Sequence, residues 1–335
     1  VEKNPHLTKM RDRDVYFDFS RTELVDSAGL AVIRALHKNN CTVYIEGAKS
    51  HVREALRRLE MHWQESSRVE KEEKGLTEKV SAALDAFVHE MISALSMLVE
   101  MLYWGTFGLV FRRNFRKGVL WEQMYQLGYK ATGIVMSLSF LIGIAVAAQS
   151  IIQLDKFGAS IYTVSMVVMG MVRELGPLMV AIIFAGRTGS AITAEIATMS
   201  VQEEVDALKT MGLNEIQFIV VPKFWAATLT IPFLTILGTS LGILGGGIIS
   251  YVLGGQSIYF IFNEFQKALV LRDIIISLIK SFVFAWLVVW VGAYYGFTVK
   301  GGADEVGRKT TSSVVTSLFV IIIADALFSF VYELF

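Results

Sequence analysis

Five stretches of this chain, at about 132–152, 172–199, 225–253, 274–299 and 312–335, are mostly apolar over a length that matters. A hydrocarbon core about 30 Å thick is crossed by roughly 20 residues of α-helix. In lipid the backbone N–H and C=O groups must be satisfied within the segment, so runs of this kind fold as helices. The chain is therefore read as mainly α beyond residue 130, a polytopic membrane protein with five transmembrane helices. Composition agrees, with 53% hydrophobic residues, 19% charged and a mean hydropathy of +0.51 over 335 residues, which excludes a water-soluble enzyme. Lys+Arg and Asp+Glu are equal at 31 each, so no basic field exists to hold nucleic acid.

The charge is unevenly distributed. Residues 1 to about 75 carry runs such as Arg11-Asp12-Arg13-Asp14 and Glu70-Lys71-Glu72-Glu73-Lys74, whereas the apolar bundle reads as nearly charge-free outside its second stretch. Three parts follow: an α/β module at 1–64, a charged linker at 65–79 and a membrane domain at 80–335. The linker also reads as the exposed start of a helix. No signal peptide opens the chain, and a first residue Val1 in place of Met is expected of a sequence that starts inside a longer reading frame. The one cysteine, Cys41, has no internal partner for a disulfide and is read as a buried structural thiol.

In the first part, Val15–Phe19 and Thr42–Ile45 have strand composition, Ala28–Leu36 has helical spacing, and His51–Trp63 continues as an amphipathic helix. Strand, helix, strand is a βαβ unit, with Asp26-Ser27 as a helix cap. Phe17-Asp18-Phe19 followed by Asp26-Ser27-Ala28-Gly29-Leu30 resembles the signature of STAS domains. About 65 residues match, so the resemblance is to a partial STAS-like domain. It implies that Ser27 is the phosphorylation or partner-docking position, beside the plain reading of a helix cap.

Residues 80–113 alternate acidic positions (Asp85, Glu90, Glu100) with apolar ones (Leu84, Val88, Leu95, Leu102), the pattern of a helix lying in the membrane interface. A soluble amphipathic helix is the alternative. Lys/Arg asymmetry then sets orientation. With a cytoplasmic N-terminus, Arg112, Arg113, Arg116, Lys117, Lys209, Lys223, Lys300, Arg308 and Lys309 fall inside, against Lys156, Lys267 and Arg272 outside. Five crossings place the C-terminus outside.

Motifs for chemistry within the chain are weak. Gly302–Thr310 imitates a phosphate-binding loop, but Arg308 stands where the lysine is needed and the preceding segment is a membrane helix. His6, His37, His51, His62 and His89 have no metal-ligand spacing, so neither a metal site nor a catalytic group is assigned.

The second stretch differs, because Arg173, Glu174, Arg187 and Glu195 lie in or beside it, and an unpaired charge at bilayer depth costs about 2.5–3.5 kcal/mol. Gly176-Pro177 is expected to break or kink the helix after Glu174. Arg187 and Glu195, eight apart, project from similar faces and form either a structural charge pair or a polar point in a substrate path. Val201–Gly212, with Glu203, Glu204, Val205, Asp206, Ala207, Leu208 and Met211, reads as a short acidic amphipathic helix ended by Gly212. It is either a docking element or a solvated connector.

Arg173-Glu174-Leu175-Gly176-Pro177, Phe184-Ala185-Gly186-Arg187-Thr188-Gly189-Ser190-Ala191 with Ala194-Glu195-Ile196, Pro222-Lys223-Phe224-Trp225-Ala226 and the Gly301–Thr311 loop together resemble the permease subunit of Mla/MCE-type phospholipid ABC transporters, the MlaE family. The resemblance covers roughly residues 80–335. It implies a homodimer in the bacterial inner membrane, a cytoplasmic ABC ATPase dimer that binds ATP and Mg, and an MCE-domain periplasmic lipid carrier. No cofactor is then expected in this chain. The resemblance also implies that 201–212 is the coupling helix, and that Arg173, Glu174, Leu175 and Pro177 border a phospholipid pocket at the dimer interface. A membrane-anchored STAS regulatory protein would need no charged span. A STAS-linked anion transporter would need ten or more spans.

Overall fold

The computed structural model describes residues 14–18, 42–47, 76–110 and 118–334. Within the first of its two compact units, Val1–Ala86, strands β1 (Asp14–Asp18) and β2 (Thr42–Glu46) pair in parallel, with Val15 opposite Val43 and Phe17 opposite Ile45. Register places Tyr16 beside Tyr44, and their rings stack at 4.8 Å. Parallel strands cannot be joined by a tight hairpin and need a crossover connection. The expected helices at 28–36 and 51–63 lie outside the described residues, as do Ser27, Cys41, four of the five histidines and most of the STAS-like segment.

The remaining elements are α1 (Leu76–Val110), α2 (Val119–Asp155), α3 (Ser160–Val201), α4 (Glu204–Thr210), α5 (Ile216–Val252), α6 (Ile258–Ala268), α7 (Leu271–Phe297) and α8 (Ala303–Leu334). Among the described residues five of these, α2, α3, α5, α7 and α8, are long and apolar enough to cross a membrane. The chain is an integral membrane protein.

The spanning helices start earlier than the apolar stretches alone predict. α2 begins at Val119 rather than 132, α3 at Ser160 rather than 172, and α8 at Ala303 rather than 312. Helices continue past their apolar middles wherever backbone bonds can be kept, which hydropathy does not register. The Gly301–Thr311 stretch, expected as a loop, is therefore mostly the first turns of α8. Residues 76–79, assigned to the linker, are likewise the start of α1.

Gly176-Pro177 does not break α3. A π-helical turn at Met171–Leu175 precedes it, Pro177 occupies the first turn of the next α segment, and a second π turn follows at Phe184–Gly189. Each π turn accommodates an extra residue inside a continuous helix.

One hydrophobic core ties the bundle together, with Val135 from α2, Phe184 from α3, Phe224 and Ile231 from α5, Phe284 and Val288 from α7, and Ile321 from α8. α2 and α5 approach to backbone contact at Gly143 and Gly242. α1 packs on the same core through Met97 and Met101 and is held by indole donors, Trp290 Nε1 to Ala94 O at 2.7 Å and Trp225 Nε1 to Gly105 O at 3.0 Å. Its other face leaves Leu95, Val99 and Tyr103 exposed.

Candidate functional site

At the α6 end of the bundle, charged side chains from α3, α7 and α8 converge. Lys280 on α7 is 1% exposed. Its ammonium lies 2.7 Å from Glu174 Oε2 and 3.1 Å from Asp325 Oδ1, and it donates to the Arg173 carbonyl at 3.1 Å, using all three protons. The third acceptor is supplied by the sequence. Pro177 has no N–H to give the carbonyl four residues back, which is that of Arg173, and Lys280 takes the place of the missing donor. Ser329 Oγ lies 3.1 Å from both Glu174 oxygens and 3.0 Å from the Asp325 carbonyl, its single proton serving one of them.

A second knot lies nearer the ends of the same helices. Arg173 Nε meets Asp273 Oδ2 at 2.8 Å, and Tyr332 OH donates to Asp273 Oδ1 at 2.7 Å. Asp273 is buried, while the Arg173 side chain keeps 34% of its surface. The Arg173 and Arg272 guanidinium carbons stand 5.1 and 5.0 Å from the Tyr332 ring centroid, within cation–π range.

The local sequence makes this geometry. Asp273 and Lys280 are seven apart on α7, and Asp325, Ser329 and Tyr332 follow at four and seven on α8, so each set occupies one helical stripe. Two cations, Arg173 and Lys280, thus face three carboxylates. A lone charge at the centre of a spanning helix costs about 2.5–3.5 kcal/mol and less toward the ends, and mutual pairing with satisfied hydrogen bonds removes most of that cost.

Arg173 and Glu174 therefore sit in one cluster, but not as a pair with each other. Leu175 packs on Ala147, Val167 and Met171, and Pro177 is buried in α3. The partners Asp273, Lys280 and Asp325 are absent from the sequence-based site. The signal for them is the same one that singles out Arg173: ionisable residues inside the fourth and fifth apolar stretches or at their edge. The bundle is not charge-free outside its second span.

The expected Arg187–Glu195 pair is corrected. Eight residues of helix separate two side chains by about 12 Å along the axis, too far for contact. Glu195 Oε2 instead meets Lys223 Nζ at 2.7 Å, and Lys223, expected in a cytoplasmic loop, is 1% exposed inside α5 with Gln123 Oε1 at 3.3 Å. Arg187 Nη1 reaches the Gln126 carbonyl and Thr188 Oγ1, each at 3.5 Å.

The segment expected as a coupling helix forms α4. Glu203 enters it in the left-handed region (φ 61°), and Gly212 (φ 74°) closes it, with Leu213 N to Leu208 O at 3.0 Å and Gly212 N to Lys209 O at 2.9 Å. Those two bonds make a Schellman cap. Val205 and Leu208 are buried in the bundle core, while Glu203, Glu204, Asp206, Ala207 and Met211 are exposed.

An apolar cavity of about 670 Å³ opens between α3, α5, α6 and α7. Val172 lines it, whereas Arg173, Glu174, Leu175 and Pro177 are not among its lining residues. α6 closes one side of this cavity through Ile261, Phe262 and Phe265, and Ser165 Oγ on α3 donates to Glu264 Oε2 at 3.1 Å. The hydrogen bond from Lys267 at 2.8 Å, then that from Ser165, holds the Glu264 carboxyl below the ordinary glutamate range. A carboxylate with a depressed folded-state pKa stabilises above its unfolded value, near about 4.3, and loses that contribution as pH falls through the folded value. The hydrogen-exchange protection of α6, taken relative to the intrinsic amide rate at each pH, is thus expected to stay constant from neutral pH to about 5 and to fall only in acid below the usual glutamate range. A Glu264→Gln variant should lack that acid-dependent step, and a loss of protection already between pH 7 and 5 would contradict the assignment.

Comparison with known proteins agrees with this architecture. The sequence model described as Permease MlaE matches residues 120–331. The chain belongs to the MlaE permease family. It is 37% identical over 210 residues to a probable ABC transporter permease protein of Rickettsia typhi, covering 62% of this chain and 81% of the relative. A probable ABC transporter permease protein of Synechocystis is 32% identical over 243 residues, 72% of this chain and 90% of that one. The intermembrane phospholipid transport system permease protein MlaE of Haemophilus influenzae is 30% identical over 246 residues, 73% of this chain and 94% of its own length. Members of this family are transport subunits, which is the role of an integral membrane permease here.

Proposed function

We propose that this permease moves phospholipid between membranes as the transmembrane subunit of an ATP-driven system in the bacterial inner membrane. The observation that carries the reading is the charge cluster of Arg173, Glu174, Asp273, Lys280 and Asp325. It joins three of the spanning helices, while the Arg173 side chain keeps 34% of its surface, which a phosphate could approach. Two copies are proposed to meet along α8, whose Phe319, Ile322, Leu327 and Phe330 are exposed in the single chain. Phospholipid would lie between them beside Arg173, Glu174, Leu175 and Pro177.

A separate ATPase subunit, with its ATP and Mg, docks on α4 in this reading. Exposed Glu203, Glu204 and Asp206 face that subunit, and buried Val205 and Leu208 pass its motion to the bundle. The N-terminus is cytoplasmic and the C-terminus periplasmic, facing an MCE-domain carrier. The STAS-like part, with Ser27 and in one chain with the permease, would contact that separate ATPase.

One reconstitution tests both halves. Purified protein should carry phospholipid detectable by mass spectrometry, and Glu174→Ala should lower lipid transfer at least tenfold with the fold intact. Joint replacement of Glu203, Glu204 and Asp206 by alanine should release the ATPase from pull-down without changing membrane insertion. Lipid-free protein together with unimpaired transfer by Glu174→Ala would overturn the lipid reading, and a retained ATPase would overturn the docking one.

A further inference from the structure

We propose that the cavity between α3, α5, α6 and α7 is a lipid site within a single protomer, holding one fatty acyl chain apart from any pocket shared by two copies. The inference rests on the phospholipid reading above and adds a second place for lipid. Its volume of about 670 Å³ falls among the ligand sites of about 300–1,000 Å³ found in proteins. Its shape and chemistry narrow the ligand class.

The cavity is elongated. On α5 its lining runs from Thr235 to Tyr251, a separation of sixteen residues, or about 24 Å of helix. A compact solute would leave much of that length empty, whereas an extended hydrocarbon chain fills it. No charged side chain lines it, and the walls are valine, isoleucine, leucine and phenylalanine with a few hydroxyls. Ordered water needs two to four polar partners, which such walls do not provide.

The cavity's hydroxyls differ in what they can offer a ligand. Thr235 Oγ1 donates to the Ile231 carbonyl and Ser240 Oγ to that of Ile236. Thr239 Oγ1 has no hydrogen-bond partner among the described residues, but it is pressed against Gly176 and presents almost no surface to the cavity. Ser277, 5% exposed, lines the cavity and has no hydrogen-bond partner for its hydroxyl among the described residues. It lies on α7 four residues after Asp273 and three before Lys280, where the apolar cavity meets the polar stripe. A carbonyl oxygen at the head of an acyl chain satisfies that donor while the chain lies along α5. α6 flanks the cavity, fastened to α3 by the Ser165–Glu264 bond.

The test uses the purified full chain in nanodiscs with two photoreactive probes, a phosphatidylethanolamine and a free fatty acid, each with a diazirine midway along one acyl chain. Adducts are mapped by peptide mass spectrometry. Capture on peptides carrying Ile243, Phe262 or Phe265 is expected, and the more efficient probe identifies the source of the chain. Ser277→Ala, which removes one neutral hydrogen bond, should cut that capture by about 2- to 10-fold. Ile243→Trp, which sets an indole midway along the cavity and obstructs an extended chain there, should cut capture at least tenfold and leave adducts elsewhere unchanged. Adducts only outside these peptides, or capture indifferent to both substitutions, would mean surface lipid and overturn the site while lipid transfer continues. Loss of both capture and transfer in the unaltered protein would overturn the phospholipid reading itself.

Discussion

Replacing Lys280 by methionine is expected to destabilise the protein by about 3–5 kcal/mol, the cost of leaving buried charge without its partner. Glu174 and Asp325 would then face each other across α3 and α8 with no cation between them, and the Arg173 carbonyl would lose the donor that compensates for Pro177. Denaturant unfolding in micelles, followed by helical circular dichroism, measures the loss. The triple variant Lys280→Met, Glu174→Gln, Asp325→Asn should recover most of it, because neutral groups of the same shape carry no charge into the bundle. A Lys280→Met protein as stable as the unaltered one would mean that the cluster holds nothing together.

The second large effect is expected at Gly143. A side chain there would run into the Gly242 carbonyl and Cα, which are backbone atoms of α5 and cannot rotate aside. Gly143→Val should therefore push α2 from α5 and cost about 3 kcal/mol, the upper end for overpacking. Gly133 on the same helix is the control. Nothing lies within 4 Å of a Cβ added there, so Gly133→Val should leave the unfolding midpoint almost unchanged. Equal effects at the two positions would show that helix propensity, and not close approach, governs this span.

The sequence made parts of the structure legible because their causes are local. Apolar length alone marks five spans, since a helix satisfies its backbone bonds within itself. Val15–Phe19 and Thr42–Ile45 were readable as strands to within one residue of β1 and β2. Gly212 was readable as a helix terminus because its positive φ is a property of one residue. The starts of α2, α3 and α8 were not, since their polar first turns carry no hydropathy signal.

Arg173 and Glu174 stand out in sequence as charges that need partners. Helical periodicity says which residues share a stripe, but not which stripe of another helix it meets. Arg173 finds Asp273 one hundred residues away, Glu174 finds Lys280 at 106 and Ser329 at 155, and Glu195 chooses Lys223 over the nearer Arg187. By itself, then, the sequence determined a membrane permease with five helical spans, a charged second span and a short acidic helix after it. Only the tertiary structure decided how those charges neutralise one another and where an apolar cavity remains, because both depend on helix faces brought together from distant parts of the chain.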